Sequence, residues 1–130
     1  MNKLLTLTTI CVLSGVFYAQ KPDTTYYVGK DKDGDSWFLD TDTVVRPKPP
    51  ADWLLIMPIY TRLPGRTLVF MFNVDCADST YQLVRAFTMN TKGEVIWTRD
   101  DPSTWAKFEG YSGNAAKITC RRLGGGVISE

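Results

Sequence analysis

Apolar and polar residues alternate in short runs between residues 24 and 98, and this is the period of antiparallel β-strands. Polar, glycine-containing turns separate the runs, as in the Asn-Thr-Lys-Gly stretch at 90–93. The pattern therefore predicts a series of short strands joined by tight turns. The predicted strands are 24–28, 36–39, 53–63, 67–76, 80–90 and 94–98.

Two of these strands carry more specific predictions. Pro58 has no backbone N–H, so the strand at 53–63 is expected to lie at an edge or to contain a bulge. Both faces of this strand are apolar at 54–57, so the second face is expected to be covered by loops or by another copy of the chain. Strict alternation at 80–90 places Tyr81, Leu83, Phe87 and Met89 on one face and Gln82, Val84, Ala86 and Thr88 on the other.

The period changes near the C-terminus, where a helix is predicted. Ser112 is a suitable N-cap, and residues from Ala115 to Leu123 recur at helical spacing. Gly124 is a natural stop, after which the chain continues as a glycine-rich tail. Several strands followed by one helix predict a single α+β domain, with an antiparallel sheet of about six strands and the helix packed on one face.

The first 19 residues have the pattern of an export signal. A lysine at position 3 precedes the apolar run 4–16, and Ala19 is a small residue at the expected cut. The alternative is a membrane anchor, but the run is shorter than the ~18 apolar residues that a spanning helix needs. Cys11 lacks the preceding residues of a lipidation site. We therefore expect residues 1–19 to be removed, residues 20–130 to form the domain, and no membrane span to remain.

Charge and composition limit the chemistry. The chain has 15 basic and 14 acidic residues, and the loss of Lys3 with the signal leaves a neutral domain, so we expect no binding to nucleic acid. It contains no histidine, which removes Ser-His-Asp and Cys-His catalysis and histidine-ligated metals. We predict no enzymatic activity and no cofactor. A hydrolase based on carboxylates such as Asp100 and Asp101 is the remaining enzymatic alternative.

Once the signal is removed, Cys76 and Cys120 are the two cysteines that remain, so one intramolecular pairing exists. Export places them where a disulfide can form and persist. Closing a loop of about 45 residues stabilises a fold by roughly 4 kcal/mol in the loop-entropy model. No Cys-x-x-Cys spacing is present, so the predicted disulfide is structural rather than redox-active.

Two further patterns resemble binding sites. Asp31-x-Asp33-Gly34-Asp35 resembles the start of a calcium loop, but no glutamate follows at the required position, so a hairpin turn and no metal site is predicted. Strand alternation predicts that Trp37 and Trp97 are buried. Trp105, in the loop before the helix, is the best candidate for an exposed binding residue, although packing is the expectation there too.

Several segments together resemble a known family. The stretch 37–44 is an aromatic strand that runs into an Asp-Thr-Asp-Thr turn, and residues 74–76 end a strand in Asp-Cys. Residues 81–83 match the return strand, and Trp105 precedes a helix that ends near Cys120. In this order and spacing, over residues 35–123, the chain resembles the surface-adhesin protein E-like domain family of Gram-negative bacteria.

The resemblance implies a curved antiparallel sheet, a C-terminal helix held by a Cys76–Cys120 bridge, export to the periplasm or cell surface, and dimers. Namesake members are adhesins that bind host matrix and serum proteins. They look lipid-anchored and are basic around the strand before the first cysteine. This signal has no lipidation cysteine, and only Arg62 and Arg66 lie near that strand. Candidate binding residues are therefore Trp105, Arg62 and Arg66.

The expected function is that of an exported, non-enzymatic binding protein whose ligand is a host protein. The alternative is a soluble periplasmic structural or inhibitory protein that binds an envelope partner through an open sheet edge.

Overall fold

The computed structural model of the chain describes residues 24–124. The predicted signal peptide at 1–19 and the predicted tail from 125 onward lie outside the described residues. The described elements are β1 (Thr25–Lys30), β2 (Ser36–Asp40), a 3₁₀ turn (Thr41–Thr43), β3 (Leu55–Leu63), β4 (Arg66–Asp75), β5 (Thr80–Asn90), β6 (Val95–Arg99), β7 (Ala106–Lys107) and α1 (Gly110–Leu123).

All of these strands belong to one antiparallel sheet. The order along the chain from β1 to β6 is also the order in space, so successive strands are hydrogen-bonded to each other and β1 and β6 form the edges. The two-residue strand β7 pairs with β5 at Thr80 and Tyr81, away from the stretch of β5 that β6 occupies. The helix packs mainly on β1, β2 and β3. The predicted α+β architecture is confirmed.

The core lies between the helix and these strands. Alternate residues of β3 are buried on the helix face, and β4 supplies their partners, as in the pairing of Met57 with Phe72. Ala115 and Ala116 are fully buried, and these small side chains let the helix approach the sheet closely. Burying each large aliphatic side chain stabilises the fold by about 1.5–3 kcal/mol relative to leaving it in water.

A stack of three aromatic rings joins the helix to the middle of the sheet. The Trp37 ring lies 4.6 Å from Phe70 of β4 and 5.1 Å from Tyr111 of α1, and Trp37 is 1% exposed. The indole Nε1–H donates to Asp31 Oδ2 at 2.9 Å, so the polar atom of this buried side chain is satisfied. The predicted burial of Trp37 is confirmed.

The predicted disulfide is present. Cys76, just after β4, is bonded to Cys120 in the last turns of α1, with their Cα atoms 5.5 Å apart. Gly124 follows the helix so closely that a Cβ at this position would lie 2.9 Å from Cys76 Sγ and 2.7 Å from the Cys120 carbonyl oxygen. The helix therefore ends where predicted, at a residue that leaves room for the disulfide.

The prediction for Pro58 is wrong. Strand β3 starts at Leu55 rather than at 53, and it lies between β2 and β4 instead of at an edge. Pro58 faces Met71 across the register with β4. On the other side, β2 pairs with β3 only at Ile59 and Tyr60, because the chain leaves the sheet in the 3₁₀ turn after Asp40. Pro58 thus lies one position beyond the last pair of the β2–β3 ladder.

The two predicted faces of β5 are also wrong beyond residue 83. Phe72 pairs with Leu83, whereas the preceding Met71 pairs with Arg85, so Val84 is an extra, bulged residue. After the bulge the alternation is reversed. Ala86 and Thr88 share the helix face with Tyr81 and Leu83, and Phe87 lies on the opposite face with Val69.

The predicted N-cap at Ser112 is wrong, although the helix itself is confirmed. Helix α1 begins at Gly110, and Glu109 is the N-cap without a side-chain capping bond. Ser112 lies within the first turn, and its Oγ is 2.7 Å from the Tyr81 hydroxyl. The same hydroxyl donates to the Glu109 carbonyl oxygen at 3.1 Å. The start of the helix is thus anchored by a strand residue.

Candidate functional site

A groove lies on the helix face of the sheet, on the part that the helix does not cover. Its volume is about 540 Å³, and its floor and walls come from β4, β5, β6 and the loop that follows β6. We refer to it as the β4–β6 groove. The residues that line it are Leu68, Phe70, Leu83, Arg85, Ala86, Trp97, Arg99, Asp101, Pro102 and Ser103.

The register of the strands explains the groove. One row across the sheet consists of Leu68, Thr88 and Trp97, and the next consists of Phe70, Ala86 and Arg99. In both rows the middle strand, β5, supplies a small side chain between two large ones. The groove therefore runs along β5. Phe70 at its floor is also part of the aromatic stack with Trp37, which links the groove to the core.

Two ion pairs lie at the rim of the groove. The Arg85 guanidinium donates to both carboxylate oxygens of Asp100, and Arg99 donates to Asp101 at 2.8 Å. The hydrogen bond with Asp100, and then its charge, raise the pKa of Arg85. Because each arginine has a carboxylate partner, the rim has little net charge, and apolar contacts with the floor are the main attraction for a ligand.

The neighbouring carboxylates Asp100 and Asp101 point to different arginines. Each of the two carboxylates thus has an arginine as its ion-pair partner. Within residues 24–124, no group of three or more His, Cys, Asp or Glu side chains is arranged to hold a metal ion.

The outer wall of the groove, β6, is an open edge of the sheet. In the described part of the chain, no strand pairs with the side of β6 that faces away from β5. Three consecutive large apolar residues are exposed there: Val95 at 56%, Ile96 at 58% and Trp97 at 49%. An apolar edge of this kind is a surface on which another polypeptide can pair.

The other edge of the sheet, β1, is protected. The Asn114 side chain of α1 donates to the Val28 carbonyl oxygen at 3.0 Å. A bulge between Tyr27 and Gly29 interrupts the ladder, and Gly29 lies against Tyr111, where a Cβ would come within 3.1 Å of the tyrosine Cβ. The two edges therefore differ, and β6 is the more accessible to a partner.

The prediction that Trp97 is buried is wrong. Its register with Thr88 puts the side chain on the helix face, but the helix packs on β1, β2 and β3 and does not reach this part of the face. A signal for this was available: an α-helix is about 10 Å wide, whereas six strands at about 4.8 Å spacing span roughly 24 Å. One helix can cover only two or three of the strands, so part of the face had to stay open.

The three candidate binding residues are not brought together. Trp105 is 41% exposed, and its ring lies 6.3 Å from that of Trp53, so the two form an aromatic pair at the surface. The Arg62 guanidinium lies 5.4 Å above the Tyr60 ring on the opposite face of the sheet. Arg66 is exposed at the β3–β4 hairpin. None of the three lines the β4–β6 groove.

The hairpin turn predicted at residues 31–35 is confirmed. Asp31 Oδ1 accepts from the backbone N–H groups of Asp33 and Asp35, and Oδ2 accepts from Trp37. The bond from Trp37 is the main reason that the pKa of Asp31 is lowered, and the backbone bonds add to it. This carboxylate thus organises the turn.

The opposite face of the sheet, which we call the second face, carries an apolar row. One residue from each of six strands lies in line: Tyr27, Phe38, Tyr60, Val69, Phe87 and Thr98. The rings of the first three are in contact, at 5.7 and 5.8 Å between successive centroids. The described helix packs on the other face.

Comparison with known proteins finds no family, no curated protein and no solved structure that matches this chain. The resemblance to the surface-adhesin protein E-like family therefore stays a prediction. Within residues 24–124, the helix is too short and too polar to cross a membrane.

Proposed function

We propose that this chain is an exported, non-enzymatic binding protein that holds a protein ligand in the β4–β6 groove. The observation that carries the proposal is the position of the groove, which has apolar residues with a charged and polar rim and opens beside exposed Trp97 at an unpaired edge. Exposed apolar surface next to polar residues is typical of interaction sites.

The disulfide and the aromatic stack that hold the groove in place support this role. The Cys76–Cys120 bond ties α1 to the end of β4, and the stack of Phe70, Trp37 and Tyr111 fixes the floor of the groove to the core. A binding surface held in this way loses little conformational freedom when a ligand binds, so less of the interaction energy is spent on ordering.

For the ligand, we propose a host matrix or serum protein, in line with the resemblance to surface-adhesin protein E. Export is supported by the signal-like pattern at 1–19 and by a disulfide, which persists in oxidising compartments. The location would then be the surface of a Gram-negative bacterium.

The alternative is a soluble periplasmic protein that binds an envelope partner. The open β6 edge favours this second candidate, since pairing at a sheet edge is a common way for one exported protein to hold another.

The first test is protease accessibility on intact cells, read with an antibody to the mature domain. Degradation from outside would support the adhesin proposal. Protection until the outer membrane is broken would contradict it and favour a periplasmic partner.

The second test measures binding of the purified protein to immobilised matrix and serum proteins. Trp97→Ala should weaken binding at least tenfold, because it removes the outer wall of the groove. Trp105→Ala, a similarly exposed tryptophan outside the groove, is the matched control and should bind normally. Equal effects of the two substitutions would contradict the assignment of the groove.

A further inference from the structure

We infer that an extended polypeptide segment pairs with the open edge of β6 as an added strand and then continues into the β4–β6 groove. This inference rests on the proposed function, because it names how the ligand is held at that site. It specifies the chemical class of the ligand as an unfolded or extended segment rather than a helix, a sugar or a folded surface.

The backbone of β6 has hydrogen-bonding groups on its outer side that no described strand pairs with. Strand β6 is hydrogen-bonded to β5 through Ala86, Phe87 and Thr88, which face Arg99, Thr98 and Trp97 in turn. In an antiparallel ladder, every second residue directs its N–H and C=O away from its partner strand. On β6 these groups point to the outer side, where no described strand is present.

The side chains of β6 on the groove side determine which residues an added strand would contact. On a strand added beside β6, every second side chain would point to the groove side and contact Trp97 and Arg99 as cross-strand neighbours. Trp97 offers a large aromatic surface that is half exposed. Because Arg99 is already paired with Asp101, the site favours apolar side chains at these alternate positions over acidic ones.

The length of the regular edge argues for a flexible segment over a second copy of the chain. Trp97 pairs with Thr88, but Val95 pairs with Met89, so Ile96 is a bulged residue and the regular ladder covers Trp97–Arg99. Edge pairing with a second folded copy would use only these three ladder residues of each copy, whereas a stable interface buries ~800 Å² per partner. An extended segment can pair with the same edge and also follow the groove, so it gains contacts that a rigid copy cannot.

The test uses a random peptide library displayed on phage as the probe. The full chain is expressed with its own first 19 residues and purified after export, and phage are selected on it. We expect enriched peptides in which apolar residues alternate with others. Binding should be at least tenfold weaker to the Trp97→Ala variant and unchanged for Trp105→Ala.

The decisive step is a scan of the best peptide with N-methyl groups on successive backbone nitrogens. Each methyl group removes one N–H. If the peptide forms a strand, methylation at every second residue within the paired stretch should weaken binding by about tenfold, as expected for loss of one hydrogen bond and a clash. The residues between them should tolerate it. This period-two response is the signature of strand pairing, and a side-chain-only mode of binding would not produce it.

The other outcomes overturn the inference in distinguishable ways. Peptides that bind in a Trp97-dependent manner but tolerate methylation at every position would show that the groove binds without strand pairing, and the proposed function would stand. No enrichment over the Trp97→Ala variant would contradict an extended segment as the ligand, while the matrix-protein assay would still test the proposed function separately. Dimerisation that Trp97→Ala abolishes and that peptides compete with would identify a second copy as the occupant.

Discussion

At the scale of single residues, Asp31 stabilises both a local turn and the packing of the core. Its carboxylate holds the β1–β2 turn through two backbone N–H groups and also satisfies the indole of buried Trp37. The short polar residue typical of a turn is therefore also a partner for the core.

Replacing Asp31 with alanine should lower the thermal unfolding midpoint, because the Trp37 N–H loses its acceptor and the turn loses two bonds. Asp33→Ala is the control, since the structure uses the backbone N–H of this residue and not its carboxylate. Circular dichroism melts measure both. Equal midpoints for the two variants would contradict this role for Asp31.

The lowered pKa of Asp31 predicts a pH dependence. A carboxyl group whose pKa is lower in the folded state contributes stability that is present above its usual pKa of 3.8 and is lost as the pH falls through the folded value. The thermal midpoint of the native protein should therefore fall below about pH 4. The fall should be smaller for Asp31→Asn, and an identical fall in both proteins would contradict the prediction.

Gly124 is required for a different reason. A methyl group at this position would lie 2.7 Å from the Cys120 carbonyl oxygen and 2.9 Å from Cys76 Sγ. Gly124→Ala should therefore destabilise the fold by about 1–3 kcal/mol, as overpacking does elsewhere. Urea unfolding measures the loss, with the exposed Arg121→Ala in the same helical turn as control. A loss no larger than that of the control would show that the helix end can move at little cost.

At the scale of elements, the fold is a sheet that is wider than its helix. The helix covers β1, β2 and β3, and the disulfide connects it to the end of β4. Strand β5 is held by its long ladder with β4 and by the bond from Tyr81 to the start of α1. Strand β6 pairs with β5 alone among the described strands and is exposed along its whole length. The groove and the open edge therefore both lie in the part of the sheet that the helix does not cover.

Removing the disulfide should destabilise the protein without changing the fold. The Cys76→Ala, Cys120→Ala double variant should lose about 2–5 kcal/mol, because the unfolded chain gains conformational freedom. Urea unfolding with and without reductant measures this. Reductant should destabilise the native protein by a similar amount and leave the double variant unaffected. A double variant as stable as the oxidised protein would contradict the prediction.

At the scale of the whole molecule, the second face of the sheet carries apolar side chains on the side opposite to the described helix. It holds a row of six residues, in which Tyr27 is 55% exposed and Val69 is buried, and the three rings nearest β1 are in contact. Sheet faces of this kind pack on one another at about 10 Å. A dimer through this face would leave the β4–β6 groove free, because the groove lies on the opposite face.

We therefore expect the mature protein to be a homodimer in which the second faces of two copies meet. Light scattering at high micromolar concentration should give twice the monomer mass. Tyr27→Glu should weaken the dimer, since it places a charge in the apolar row, whereas Lys32→Glu in the neighbouring turn should not. A monomeric mass for the native protein would contradict this expectation.

The sequence by itself determined the six main strands, the C-terminal helix and the disulfide that joins the end of β4 to the helix. Period-two alternation predicted the six main strands, turn residues predicted the hairpin at 90–93, and helical spacing predicted α1. The two cysteines outside the predicted signal allowed only one pairing with each other, and the structure contains that disulfide. These features are encoded locally or by simple counting, so no knowledge of packing was needed.

Only the tertiary structure decided which surfaces are open. The bulge at Val84 reversed the faces of β5, Pro58 proved to lie inside the sheet, and Trp97 proved to be exposed. Alternation tells which side chains share a face, but whether that face is covered depends on where a distant helix lies. The groove and the open edge result from that long-range placement, so the candidate site could not be predicted from any single stretch of the sequence.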